Sequence, residues 1–514
     1  MQLHVRLAGR HVASGALCSL AGWIAAGPEH EVVELGLRLP DVRLLRCNYP
    51  FHYDAPGAPP PGDSAALAGF NVLLPESLNF PAAGLNFVAM IAADDGAPRP
   101  YAIAVDGRTE RTHRVVLGEK DVVAADTALV APEPGAVGEL LEARLFDRLA
   151  RERHLTLRLD LINKCNLRCV MCHYSNDAFF KRPAQRIAPE QFLSFFDPIA
   201  AVTRDVMLSC GDEPLLSPHF ETILRALAAR DPEVRIRFCT NAMLLTEKIA
   251  AAIVAARVHT VMFSFDGVQA ATLHRIRVGS DFPRIIRQIL HLKRLRAEAR
   301  AEGPRFVFNF VMLESNLHEA PLFVQVARRL GAYAIDFRHV VPVPAYDIEH
   351  EMLEHFKPKY NHYRERIVAA AQAASVEIYL PPPFETAARH NPAADPPANL
   401  IEFHELLRSL GEHPLTDPEP PPAKERGPAP EPHESAHCFC DRPFSEVMIR
   451  EQRDVYPCPW HTEKMGVLDG RTTLEEIFFG ENFRRLRRAM LDPHGAPGCR
   501  FCPIKANYLP TRSL

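Results

Sequence analysis

From residue 1 to about 135 the chain alternates short apolar runs with turn residues. LHVRLAG, LAGWIAA, VVELGLRL, GFNVLLP, LNFVAMIAADDG, YAIAVDG and HRVVLG follow one another, separated by Gly, Pro and Asp. Short β-type runs recurring between such breakers predict strands, and many of them in succession predict an antiparallel sandwich or barrel. Residues 1–135 are therefore expected to form an all-β sandwich. The stretch VGELLEARLFDRLARERH then places apolar residues at helical spacing among charges, which predicts an amphipathic connecting helix over 136–153.

After it the period changes. The strand-like runs LTLRLDLI, DVMLSC, VRIRFCT, TVMFSFDG, RFVFNFVML and AIDFRHV alternate with the helical runs FETILRALAAR, LLTEKIAAAIVAAR, FPRIIRQILHLKRLRAEAR and APLFVQVARRLG. A βα repeat of this kind predicts a parallel sheet covered by helices, here an α/β partial (β/α)6 barrel over 154–380. The following segment, 381–435, contains HPLTDPEPPPAKERGPAPEPHES, whose Pro and Glu content predicts an extended linker. Residues 436–514 make a small Cys-bearing module that needs a staple to hold its core.

Composition narrows the function. The 514 residues are 47% apolar and 24% charged, the range of soluble globular domains. With a formal net charge of −4 and no block of Lys or Arg, the electrostatic footprint of a nucleic-acid partner is missing. No signal-type start and no run of about 18 apolar residues is present, so no membrane span is expected and the assigned compartment is the cytoplasm. In a reducing compartment, clustered thiols point to metal or redox sites. Eight of the twelve cysteines lie in two clusters; Cys18, Cys47, Cys210 and Cys239 stand alone and read as small buried hydrophobes.

The first cluster is DLINKCNLRCVMCHY, with Cys165, Cys169 and Cys172 just past the first strand of the βα region. That is the end of a barrel strand at which active-site loops gather. Three thiolates are one ligand short of a closed zinc site. Either His173 or a remote group completes the shell, or an iron–sulfur cube keeps one iron open. CNLRCVMC after a first barrel strand resembles the radical S-adenosylmethionine (SAM) superfamily, whose open iron is chelated by the amino and carboxylate groups of SAM. LSCGDEPLLSPHF resembles that family's Gly-Gly-Glu-Pro segment, with Gly211, Glu213 and Pro214 in place and Asp212 where the second glycine stands. RFCTNAMLLTE resembles its Thr-Asn-Gly segment, with Ala242 for the glycine, and VMFSFDGVQAATLHRIRVGSDF resembles its fourth-strand segment. The resemblance covers about residues 155–345. It implies that the 211–214 segment binds SAM with Glu213 near the methionyl ammonium, that Asn241, Ser264 and Asp266 line the ribose side, and that Arg277 faces the carboxylate.

The tail holds Cys440, Cys458, Cys499 and Cys502, a complete set of four thiolates with Cys438 to spare. Spacing alone fits zinc or an iron–sulfur cube. Behind a radical SAM barrel, the tail resembles the shorter form of the SPASM-type extension, which implies one auxiliary [4Fe–4S] cluster. The expected enzyme cleaves SAM to a 5′-deoxyadenosyl radical and takes a hydrogen atom from its substrate, with an electron donor such as flavodoxin or ferredoxin as partner. The N-terminal GW near Trp23, GFNVLLP and LNFVAMIAADDG are loosely similar to β-sandwich domains attached to some bacterial glycosyltransferases, which points to a sugar-like, glycan or cell-envelope substrate. A peptide or protein maturase is the alternative enzyme, and a zinc-binding interaction protein the rival from another class. Asp336 is a candidate base, or else the structural partner of Arg338 on the same strand face; Cys210 is a candidate hydrogen-atom donor.

Overall fold

The computed structural model describes residues 153–340, 348–412, 442–450, 453–489 and 499, together with the strand segments of residues 2–122. These segments contain β1 (Gln2–Ser14), β2 (Leu17–Ala26), β3 (His30–Arg38), β4 (Leu44–Arg46), β5 (Asn48–Phe51), β6 (Leu67–Pro75), β7 (Leu85–Ala93), β8 (Arg99–Val105) and β9 (Thr112–Val116). They form a five-stranded sheet, β5-β6-β2-β1-β9, and a four-stranded sheet, β4-β3-β7-β8, with antiparallel pairing throughout. Leu35 and Leu37, and Phe87, Ala89 and Ile91, put alternate positions of neighbouring strands into a core. The helix expected over 136–153 lies, except for Arg153, outside the described residues.

The central unit begins with β10 (Leu155–Leu159), the two-residue β11 (Arg168–Cys169), α1 (Asp177–Lys181) and α2 (Pro189–Phe196). It continues with β12 (Thr203–Met207), α3 (Phe220–Arg230), β13 (Arg235–Thr240), α4 (Glu247–Ala255), β14 (Thr260–Ser264), α5 (Ala270–Ile276) and the two-residue β15 (Arg277–Val278). The last βα units are α6 (Phe282–Glu298), β16 (Arg305–Met312), α7 (Ala320–Leu330), β17 (Ala332–His339), α8 (Lys357–Ala374) and β18 (Glu377–Tyr379). Six strands run in parallel in the order β10-β12-β13-β14-β16-β17, and β18 adds a further parallel strand at the edge.

One face of this sheet is apolar because every second strand residue is large and hydrophobic. Phe308, Phe310 and Phe337 pack their rings around Phe323 of α7 at 5.0–6.4 Å, and Phe265 meets both Phe323 and Phe282 of α6. The intervening residues give the other face a charged base, where Asp205 pairs with Arg235 at 2.7 Å and Arg237 at 2.9 Å. Helices thus cover one face, and polar residues line the other.

The described part of the tail joins the barrel sheet and its core. After α9 (Ile401–Ser409) and α10 (Arg442–Ser445), β19 (Glu446–Arg450) pairs in parallel with β10, and β20 (Asp454–Tyr456) and β21 (Gly466–Val467) extend the same sheet. The run EVMIR, with Val447 and Ile449 on one face and Glu446 and Met448 on the other, finds the open hydrogen-bonding edge that β10 otherwise presents. Phe444, Val447 and Ile449, with Phe478 of α11 (Leu474–Phe478) and Phe483 of α12 (Glu481–Ala489), enter the same core as the barrel residues.

The run HPLTDPEPPPAKERGPAPEPHES that carries the linker expectation lies outside the described residues, whereas residues 381–412, counted within the same expected linker, are held against α8. Proline-rich chain lacks N–H donors, but its carbonyls still accept, and α8 supplies the donors. Tyr360 Oη and Arg364 Nε donate to Pro381 O at 2.6 and 2.9 Å, and Asn361 Nδ2 donates to Phe384 O at 2.7 Å. Asp395, 6% exposed, accepts from Tyr363 Oη at 2.8 Å and lies 3.1 Å from Lys359 Nζ and 2.5 Å from His390 Nε2. Helix α9 buries Phe403 and Leu407, and its Glu402 accepts the Ala270 N–H at 2.7 Å, capping α5. Residues 413–435 lie outside the described residues.

Burial raises the Asp395 carboxyl, but His390, Tyr363 and Lys359 outweigh it and hold it at about 2, against 3.8 ordinarily. An acid depressed in this way stabilises the fold above its unfolded value and stops doing so as pH falls to the folded one. Asp395→Asn should lower stability by about 2 kcal/mol at neutral pH. The gap to the parent should close between about pH 4 and pH 2, and amide exchange should rise across 381–395 at neutral pH. An unchanged exchange pattern would show that this cluster does not pin the segment.

Candidate functional site

The loop after β10 is fixed from its first residue. Asp160 Oδ1 accepts the backbone N–H groups of Cys210 at 2.6 Å, Gly211 at 3.1 Å and Asp212 at 3.3 Å, tying the end of β10 to the segment after β12. Burial and the neighbouring Asp212 charge raise its carboxyl to about 6, against the three amide donors. Sequence reasoning did not single out Asp160; the only signal was a carboxylate placed directly after the first barrel strand.

Further along the loop, β11 and β15 form a short antiparallel ladder in which Cys169 stands opposite Arg277. This register sets Arg277 Nη1 at 3.7 Å from Cys169 Sγ. Arg277 is buried and ion-paired with Asp266 at 2.7 Å. Asn241 Nδ2 lies 3.9 Å from Cys165 Sγ and donates to Asn166 Oδ1 at 2.9 Å, and the Leu167 N–H points at Cys165 Sγ from 3.4 Å. Donors from three separate segments therefore face the sulfurs, an arrangement suited to thiolates.

Burial pushes the Cys165 thiol to about 12 and Cys169 to about 11, the latter opposed by Arg277. Cys172 is half-buried; burial raises its thiol, but the hydrogen bond and charge of His173 bring it below the usual value. The three thiols interact electrostatically, yet among the described residues no three His, Cys, Asp or Glu side chains gather as a shell for one metal ion. A polynuclear iron–sulfur group takes its thiolates on separate irons. The donor set fits such a group better than a closed zinc shell. His173, the other potential zinc ligand, has Nε2 3.7 Å from Asp212 and Nδ1 3.9 Å from Cys172 Sγ.

Asp212, where the related segment has glycine, is 9% exposed and accepts from Tyr174 Oη and from Arg182 Nη2 at 3.3 Å. It clasps the residues just after Cys172. Glu213 is buried: Oε1 accepts from Thr240 Oγ1 at 2.7 Å and Leu215 N at 3.2 Å, and Oε2 accepts the Asn241 N–H at 2.8 Å. Burial outweighs these donors and raises its carboxyl to about 7. Gly211 is exposed, and an added Cβ would meet only His173 Cε1, at 3.4 Å. Pro214 opens the single 3₁₀ turn Pro214–Leu216.

Ala242 has φ 60°, the left-handed conformation that glycine adopts freely. Ser264 Oγ lies 3.2 Å from Cys239 Sγ, which also receives Asn309 Nδ2 at 3.5 Å. Cys239 is thus part of a polar row, not the isolated hydrophobe read from sequence. Asp266 also accepts the Val311 N–H at 2.7 Å. Asp336 Oδ2 accepts from Arg338 Nε at 2.8 Å, which is ion-pair geometry. Cys210 is half-buried, and burial raises its thiol well above the ordinary value. In the tail, Cys458 is buried and Cys499 half-buried; Cys438, Cys440 and Cys502 lie outside the described residues.

Residues 159–319, which span this loop, Glu213, Asn241, Asp266 and Arg277, match the Radical SAM superfamily. The chain carries a radical SAM domain. Members of the superfamily are enzymes that use a [4Fe–4S] cluster and SAM. The chain is 29% identical over 184 residues to the AdoMet-dependent heme synthase of Methanosarcina barkeri, covering 36% of this chain and 50% of that protein. It is 26% identical over 191 residues to the mycofactocin maturase MftC of Mycobacterium tuberculosis, covering 37% and 46%. The chain thus spans about half the length of the curated relatives it matches. The crystal structure of Streptococcus suis SuiB bound to S-adenosylmethionine superposes with a TM-score of 0.46 at 13% identity, covering 72% of this chain and 75% of that one. No described helix is long and apolar enough to cross a membrane.

Two substitutions test how the radical SAM loop is held. Ala242→Gly should relieve a left-handed alanine and raise stability by about 1 kcal/mol, read from denaturant melts of the apoprotein. Asp212→Gly should release Tyr174 and Arg182 and lower the iron retained per chain after reconstitution and desalting. Full iron retention in Asp212→Gly would show that the clasp is dispensable.

Proposed function

We propose that this protein is a radical SAM enzyme with one auxiliary iron–sulfur cluster that oxidises or otherwise remodels a sugar-like or cell-envelope substrate. The observation that carries the radical SAM part is the donor set at the loop: three thiols on a short segment, each approached by a protein N–H donor, a guanidinium or a histidine. Cys165, Cys169 and Cys172 would hold the first cluster, and Cys458, Cys499, Cys440 and Cys502 the second. With cluster and SAM bound, reductive cleavage supplies a radical able to take hydrogen from an unactivated C–H bond.

The chain's own residues do the positioning. Glu213, whose carboxylate is held by Thr240 and the Asn241 N–H, would lie near the methionyl ammonium of a bound SAM. Arg277, oriented by Asp266 at 2.7 Å, offers a cation to a carboxylate beside Cys169. Ser264 and Asn241 stand at the ends of neighbouring strands for the ribose side. Asp336, paired with Arg338, is the candidate to accept a substrate proton, or else only that arginine's structural partner. Cys210 is the alternative donor of a hydrogen atom.

A peptide or protein maturase is the second reading, favoured by the similarity to mycofactocin maturase. Anaerobic reconstitution separates the radical enzyme from a zinc protein: about eight irons per chain, the sum of two cubes, and 5′-deoxyadenosine formed with dithionite are expected. Cys165→Ala should abolish that cleavage and keep about half of the iron. Cleavage retained by Cys165→Ala would remove the assignment of the first cluster.

A further inference from the structure

The polar face of the barrel sheet carries one row that the cofactor assignments do not use up. Ser264, Asn309 and Asp336 are level with one another in the parallel register of β14, β16 and β17. Their strand neighbours Phe263, Phe308, Phe310 and Phe337 are buried on the helix-covered side, so strand alternation turns the row to the opposite face. Cys239 of β13 joins it through Ser264 Oγ and Asn309 Nδ2.

Two acceptor atoms in this row are buried and have no donor among the described residues: Asn309 Oδ1 and Asp336 Oδ1. The other atom of each side chain is engaged, Asn309 Nδ2 with Cys239 and Asp336 Oδ2 with Arg338. Buried acceptors left without donors are unfavourable by about 1–3 kcal/mol each. Two of them side by side are a binding feature waiting for donors. Adjacent strands lie about 4.8 Å apart, so Asp336 stands two strands, or roughly 10 Å, from Ser264. A ribose lying against Ser264 does not reach it.

We propose that Asn309 and Asp336 form a substrate subsite for a compact ring compound bearing hydroxyl or amino groups on alternate ring carbons, such as an amino sugar. The inference rests on the radical SAM reading above and chooses between its two substrate classes. The two side chains spring from strands about 4.8 Å apart, whereas an extended peptide presents same-side N–H groups roughly 6.8 Å apart. Equatorial substituents on alternate carbons of a saturated ring match the shorter spacing, whereas vicinal ones fall short of it. Asp336 keeps Arg338 on Oδ2 and offers Oδ1 to an O–H or an ammonium.

The test uses the full-length, anaerobically reconstituted protein with SAM, and D-glucosamine as the probe in equilibrium dialysis. Saturable binding is expected in the parent chain. Asn309→Leu and Asp336→Asn should each weaken it on the order of tenfold, a lost hydrogen bond to a polar or charged group. Asn309→Asp, which keeps an acceptor at that position, should retain it. Melting curves and iron content check that each variant is folded and loaded. The proposal is overturned by absence of saturable binding, by equal affinity across the variants, or by a loss that falls on SAM affinity and not on the sugar. It is equally overturned if triglycine binds more tightly than the sugar and is lost in the same variants. Iron, sulfide and dithionite-driven SAM cleavage are measured on the same preparation. Their absence counts against the radical SAM reading, and their presence without sugar binding counts against this subsite alone.

Discussion

A single buried carboxylate sets the frame of the site. Asp160 takes three successive backbone N–H groups from Cys210, Gly211 and Asp212, and so joins the cysteine loop after β10 to the acidic segment after β12. Everything placed by those two segments inherits that alignment. Asp212 can then reach back to Tyr174 and Arg182, and Glu213 can reach sideways to Thr240 and Asn241. The burial that raises the Asp160 carboxyl also makes its three donors obligatory, because an ionised oxygen withdrawn from water needs every one of them.

A second constraint is the ladder between β11 and β15. Arg277 is far from Cys169 in sequence, and an isolated arginine in that stretch would be an ordinary surface charge. Two residues of antiparallel pairing bring it beside the sulfur, and Asp266 makes its burial tolerable. The glycine departures in the family-like segments have opposite physical outcomes. Asp212 gains partners that glycine could not have, whereas Ala242 adopts the backbone conformation of the glycine it replaces.

Much of this was legible in the chain. The βα period announced a parallel sheet because each strand buries one face under a helix, and the cysteine spacing announced the loop. Asp160, Asn309 and Cys239 were not legible, since their roles come from which strands become neighbours, and single-strand patterns do not carry that. The 381–412 segment misled for a related reason: its composition describes what proline-rich chain lacks, while the donors that hold it reside on α8. The tail strand β19 was read as part of a small stapled module. Its partner was the free edge of a strand nearly three hundred residues earlier.

That pairing has a consequence for the order in which the molecule can be made. Strand β10 bears the cysteine loop at its end, and one of its two hydrogen-bonding edges belongs to β19. During synthesis the barrel emerges first and waits with that edge open until the tail arrives, a long-range closure of the kind that is slow and exposed to mispairing. The strand that leads into the first three thiols therefore gains its second neighbour only after the rest of the barrel has been made.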